Sequence, residues 1–154
     1  MSLFSPVRRR LLGGLLAGYA LPALANTQKI TVDVWKDPNC GCCQDWIDYL
    51  EGEGYAVRVF NQGNQAARQR LGLPERYGSC HTALVGGYVV EGHVPAADIR
   101  RLLKEKPKAL GIAAPGMPVG APGMDGPAYR GRRDAYEVLL VNRDGSSRVF
   151  SSYR

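Results

Sequence analysis

Three cysteines within four residues stand where a strand pattern gives way to a helix pattern, and this junction constrains the fold more than any other feature. Ile30, Val32 and Val34 alternate with Thr31, Asp33 and Trp35, the period-two signature of a half-buried strand. Asp37-Pro38-Asn39 is turn chemistry. Cys43, Trp46, Ile47 and Leu50 then recur at i, i+3, i+4 and i+7, one face of a helix that stops at Gly52 to Gly54. Cys40, Cys42 and Cys43 therefore fall at the start of a helix, where unpaired N–H groups and the positive dipole end favour a thiolate. Gly41, without a Cβ, is expected to let the backbone turn sharply enough for several sulfurs to converge. Cys43 lies on the apolar face and should be the more buried, with Cys40 nearer the surface.

Cys40 and Cys43 have the C-x-x-C spacing of a thiol–disulfide pair, but a two-electron switch needs no Cys42. Two structural disulfides from the four cysteines do not suit this spacing. Adjacent Cα atoms are about 3.8 Å apart, short of the roughly 4.4 Å at which disulfides begin. Cysteines this close in sequence also close only small loops, which restrict an unfolded chain little. The cluster reads as chemistry rather than as a staple.

Residues 1–25 read as a cleaved export signal. Arg8-Arg9-Arg10 is a positive segment, Leu11 to Leu24 is apolar and broken by glycines, and Ala23-Leu24-Ala25 is an A-x-A cleavage site. The apolar run falls short of the ~20 residues of a membrane span, so no stable membrane insertion is expected after cleavage. Arginines followed by Leu11-Leu12 fit either a general secretory or a twin-arginine signal, and the expected destination is the periplasm. Removing the three leader arginines lowers the formal net charge from +6 to +3. The remaining basic run, Arg130 to Arg133, reads as a solvated loop rather than a nucleic-acid footprint.

Further along, Tyr55 to Phe60 is a second strand and Asn64 to Leu71 a weakly amphipathic helix. His81 to Val85 and Tyr88 to Glu91 form strands joined tightly at Gly86-Gly87. Pro95 suits the first turn of another helix, with Ile99, Leu102 and Leu103 facing inward. Strand, helix, strand, helix, hairpin, helix is an α/β sandwich with a mixed sheet. Gly111 to Pro127 holds Gly or Pro at almost every other position and reads as an ordered loop. Tyr136 to Asn142 and Ser147 to Ser151 flank Arg143-Asp144-Gly145-Ser146 as a terminal hairpin. The expected division is 26–110 as the domain that carries the cysteines, 111–127 as a Gly/Pro/Met loop packed on it, and 128–154 as a hairpin of the same domain.

This order of elements, with the cysteines between the first strand and first helix, resembles the thioredoxin fold. Four stretches together resemble a narrower family, over about residues 30–126: the cysteine motif; Ser79-Cys80-His81-Thr82; the segment from Val85 to Pro95; and Pro115-Gly116-Met117-Pro118. They look like the CopG-like periplasmic copper-resistance proteins, which are unrelated to the DNA-binding repressor of the same name. In thioredoxin-like folds the loop before the third strand lies against the cysteine motif, usually through a proline. Here that loop offers Cys80. By the same analogy His93, ahead of the last helix, faces the same corner.

The resemblance thus implies a metal site of Cys40, Cys42, Cys43, Cys80 and His93. Thiolate, imidazole and thioether donors suit Cu(I), zinc or iron–sulfur. Closely packed thiolates that bridge ions, together with the resemblance, favour copper as Cu(I), in several ions; zinc, which usually takes four ligands in a closed site, is the lesser alternative. Met117 and Met124 either pack the loop or add thioether ligands. His81 is read first as a supporting residue and second as a ligand, since a strand can turn it away from Cys80. Trp35 and Trp46 read as core, and Asp37 and Asp45 as turn and surface residues. Two functions follow. One is an exported copper-binding protein that supports copper resistance, with copper ions and other periplasmic copper-handling proteins as partners. The other is a thiol–disulfide oxidoreductase reacting through Cys40 and Cys43.

Overall fold

In the computed structural model, residues 28–154 are described; the leader assigned to residues 1–25 lies outside them. Seven strands form one mixed sheet. They are β1 (Thr31–Lys36), β2 (Ala56–Phe60), β3 (His81–Val85), β4 (Tyr88–Glu91), β5 (Gly111–Ala113), β6 (Tyr136–Val141) and β7 (Ser147–Tyr153), in the spatial order β2-β1-β3-β4-β5-β6-β7. β1 runs parallel to β2 and antiparallel to β3, and β3 and β4 form the expected hairpin. The helices are α1 (Gly41–Gly52), α2 (Gln65–Arg70) and α3 (Ala96–Glu105), with 3₁₀ turns at Glu75–Tyr77 and Pro127–Tyr129. The mixed α/β architecture is the one expected. Among the described residues no helix is long and apolar enough to cross a membrane.

The main core joins α1 and α3 to one face of the sheet. Trp46, Ile47 and Leu50 of α1 and Ile99 and Leu102 of α3 pack with Val32, Val34, Ala83, Val85, Val90 and Ile112. Each large aliphatic side chain buried in this way is worth about 1.5–3 kcal/mol. A smaller cluster on Leu73, Tyr77, Val89, Leu110, Ala113 and Val141 lies beyond α2. The sheet is thus covered on two sides, and the β1–α1 turn opens at its edge beside the start of β3.

Three local expectations change. Gly111, taken as the start of a loop, begins β5, which pairs in parallel with β4 and antiparallel with β6. A Cβ at Gly111 would lie 1.9 Å from the Val89 carbonyl oxygen, so glycine is there for close strand approach rather than for a turn. Through β5 the terminal hairpin continues the main sheet. Pro95 lies one position outside α3, capping it from an extended conformation, instead of inside its first turn. Gly41 is not left-handed, and a Cβ there would meet nothing within 4 Å, so the cysteines converge without a sharp glycine turn.

Candidate metal centre

Cys40 is the N-cap of α1, and Cys42 and Cys43 occupy its first turn. Cys43 is fully buried and Cys40 only half-buried, in the expected order. Cys40 and Cys43 are joined by a disulfide, while Cys42 and Cys80 are free. The Cys42 sulfur lies 3.6 Å from that of Cys40 and 3.9 Å from that of Cys80. The Cys43 sulfur is 3.5 Å from the Cys80 carbonyl oxygen, a contact rather than a hydrogen bond because the disulfide carries no proton. All four sulfurs lie within 4.8 Å of one another. The disulfide realises the C-x-x-C pairing without forming a second bridge, so the cluster holds two oxidised and two reduced sulfurs.

Two histidines close on Cys80 from the other side. Its sulfur is 3.4 Å from His81 Nδ1 and 3.2 Å from His93 Nε2. His81 Nε2 lies 2.9 Å from the Gly92 carbonyl and His93 Nδ1 2.9 Å from the Pro122 carbonyl. A carbonyl only accepts, so those nitrogens carry the protons and donate. Each ring therefore turns its bare nitrogen to Cys80, the tautomer a metal ligand needs. Burial, more than the nearby His93, presses His81 down to about 3. Burial also lowers His93, against the pull of the Pro122 carbonyl and Asp125. Both rings stay neutral at physiological pH. Burial first, and Cys42 second, push the Cys80 thiol up to about 12, so a metal must displace its proton. Cys80, His81 and His93 form a second group within 4.8 Å, and Cys80 belongs to both.

Cys80 is held by a buried ion pair that the sequence did not announce. Glu91 is inaccessible to solvent and Arg68 is 6% exposed. Glu91 Oε1 accepts from the Ser79 N–H at 2.7 Å and from Arg68 Nε at 2.9 Å, while Oε2 accepts from the Thr82 hydroxyl at 2.6 Å. Arg68 Nη2 and Asn64 Nδ2 both donate to the Ser79 carbonyl, at 2.6 and 3.1 Å. Both backbone polar groups of Ser79, the residue before Cys80, are thereby fixed. On the other flank, buried Lys36 donates to the Asp37 carbonyl, bracing the turn into Cys40.

Two solved structures described as copper resistance protein CopG, Form 2 and Form 1, superpose with TM-scores of 0.75 and 0.74. They share 45% and 46% identity with this chain, each match covering 82% of it and 100% and 98% of theirs. The chain belongs to the CopG copper-resistance family. A family model described as "Protein of unknown function, DUF411" matches residues 77–124, the stretch that carries Cys80, His81, His93 and both loop methionines. No curated protein matches the chain.

The remaining positions in this CopG-family chain divide clearly. His81, read first as a supporting residue, has a ring nitrogen on Cys80. Trp46 donates to the Val94 carbonyl at 2.9 Å, and its ring lies 4.3 Å from that of His81, forming the floor of the centre. Trp35 instead stacks on Phe60, 5.0 Å away. Met124 is buried and its sulfur accepts from the Tyr129 hydroxyl at 3.1 Å, whereas Met117 is 54% exposed. Lys36, Arg68, Glu91 and Tyr129 were missed. A charged residue closing the apolar run Val89-Val90-Glu91 was the one available signal for the buried pair.

The loop is seated by Gly123. It has φ +81°, and a Cβ there would stand 2.7 Å from Trp46 N and 2.8 Å from the Cys42 carbonyl oxygen. This contact sets the Pro122 carbonyl on His93. Gly123→Ala is expected to lower stability by about 1–3 kcal/mol from backbone strain alone, read as an earlier urea midpoint; an unchanged midpoint would contradict the packing described.

Proposed function

We propose that this chain is an exported copper-binding protein that holds Cu(I) in a multinuclear thiolate cluster and contributes to copper resistance. The observation that carries this reading is the pair of donor groups sharing Cys80, with two neutral imidazoles already presenting bare nitrogens. Four sulfurs and two imidazoles exceed what one tetrahedral ion takes, and they are soft or borderline donors that suit Cu(I). The structural relatives, named as copper resistance proteins, support copper as the metal. Cys40, Cys42, Cys43, Cys80 and His93 are the proposed ligands, with His81 added from its geometry and a loop thioether as a further donor, buried Met124 as a resident one or exposed Met117 as a transient one. Zinc is the weaker fit, since a single closed four-ligand site leaves donors unused.

The arg-rich, apolar leader supports export to the periplasm, by the secretory or the twin-arginine route, and other periplasmic copper-handling proteins as partners. The β1–α1 position of the cysteines supports a thioredoxin-like origin for the site. Because Cys40 and Cys43 can be oxidised together, a full thiolate cluster requires two electrons to open their disulfide first. After reduction and anaerobic reconstitution with Cu(I), the mature chain is expected to retain copper through gel filtration. Less than one copper per chain would overturn the reading.

The Cys40–Cys43 disulfide favours a second reading, a thiol–disulfide oxidoreductase acting on protein substrates. Insulin reduction separates the two. Activity that survives Cys42→Ser with Cys80→Ser and disappears with Cys40→Ser would support the oxidoreductase; no activity in the parent chain would exclude it.

A further inference from the structure

The glycine–proline loop touches the Cys80 segment at a second place, away from Gly123. The Gly116 N–H donates to the Gly78 carbonyl at 3.1 Å, and the Ser79 hydroxyl donates to the Gly116 carbonyl. These bonds stitch the two loops side by side. The next residue, Met117, is one of the few large apolar side chains left exposed among the described residues. It lines an open cleft of about 410 Å³ together with Arg68, Glu75, Gly78, Ser79, Cys80 and Gly116. The cleft therefore connects solvent to Cys80, the residue shared by both donor groups.

The two charged side chains that line this cleft, Arg68 and Glu75, are paired with each other. Arg68 bridges Glu75 at 2.8 Å and Glu91 at 2.8 Å. What distinguishes the walls is two sulfurs, a thioether at the rim and a thiol at the floor. A thioether is a soft, uncharged donor that binds Cu(I) without losing a proton, whereas a thiol must give one up. Met117 is more exposed than covered, whereas Met124 is buried and accepts from the Tyr129 hydroxyl.

We propose that Met117 is the capture ligand of this chain, taking Cu(I) at the rim and passing it down the cleft to Cys80. The inference rests on the copper reading above. The step is a ligand exchange. A donor of the delivering complex leaves Cu(I) as the Met117 sulfur bonds to it. The Cys80 sulfur then replaces Met117, its proton passes to solvent, and copper stays Cu(I) throughout.

Stopped-flow transfer from the Cu(I)–bicinchoninate complex to the reduced mature chain, followed by loss of the complex's colour, tests this. Met117→Leu keeps the size of an exposed side chain and removes the soft donor. It is expected to slow transfer on the order of tenfold, within the range over which association rates vary among variants of one site, with the final copper count unchanged. Val149→Ala, an exposed site on the distant hairpin, should transfer at the parent rate. A parent rate in Met117→Leu would overturn the capture role. So would a lower final count at an unchanged rate, since that makes Met117 a resident ligand. If the parent chain itself takes no copper, the copper reading fails first, and this result is distinct from either outcome in the variant.

Discussion

Replacing Cys42 and Cys80 together with serine is expected to abolish tight Cu(I) binding. Cys80 is the sulfur common to both donor groups, and Cys42 stands between it and Cys40. Their loss removes the link between the α1 sulfurs and the two imidazoles. Losing a residue that merely orients a ligand costs about 10–100-fold in affinity, so removing two thiolates should exceed that range. Serine is close in size, and neither site is an apolar core position, so the fold should survive. Competition against a Cu(I) chelator reads the affinity, and near-parent affinity in the double variant would remove the cluster from the account. Cys40→Ser provides a contrast, because it also breaks the disulfide and leaves Cys43 free.

Arg68→Met is expected to give the largest loss of stability, about 3–5 kcal/mol near neutral pH, the usual cost of breaking a buried ion pair from one side. The variant keeps the length of the side chain but strands Glu91, which is wholly buried. Burial already holds the Glu91 carboxyl above its ordinary range, against the pull of Thr82, Ser79 and Arg68. Without Arg68 it must rise further. Raising that value penalises the folded variant relative to the parent. The deficit is absent below the parent's folded-state value, grows as pH rises from there to the variant's higher one, and is complete above it. Urea midpoints of the variant and parent should converge on acidification and separate towards pH 8. A deficit independent of pH would mean that the arginine contributes packing alone. The same variant should bind copper more weakly, because the Ser79 carbonyl loses a donor beside Cys80.

Much of the fold was legible because it rests on periodicity. Val32 and Val34 are inaccessible, as their alternation requires, and the i, i+3, i+4 positions of α1 are its buried ones. The bounds of β3 and β4 coincide with the expected strands because Gly86-Gly87 punctuates them. Periodicity failed at β5, where a three-residue strand is too short to show a pattern and its glycine imitates a turn. The cysteines were visible as a cluster, but the partners that orient them were not. Arg68 and Glu91 are 23 positions apart on different elements, so the charge that closes the Val89-Val90 run signals a buried Glu91 without naming its partner. His81 was discounted by strand alternation. That rule fails here because β3 starts at His81, leaving Cys80 outside the strand. The imidazole tautomers depend on the Gly92 and Pro122 carbonyls, which only the folded loop brings into place.

The central claim is that this site holds more than one Cu(I) on a shared set of sulfurs, and native mass spectrometry of the mature chain tests it most directly. Spectra should be taken with Cu(I), once with the Cys40–Cys43 disulfide intact and once after anaerobic reduction. The account predicts two or more copper ions per reduced chain and fewer on the disulfide form. A single ion in both states, or an equal load with the disulfide intact, would contradict it.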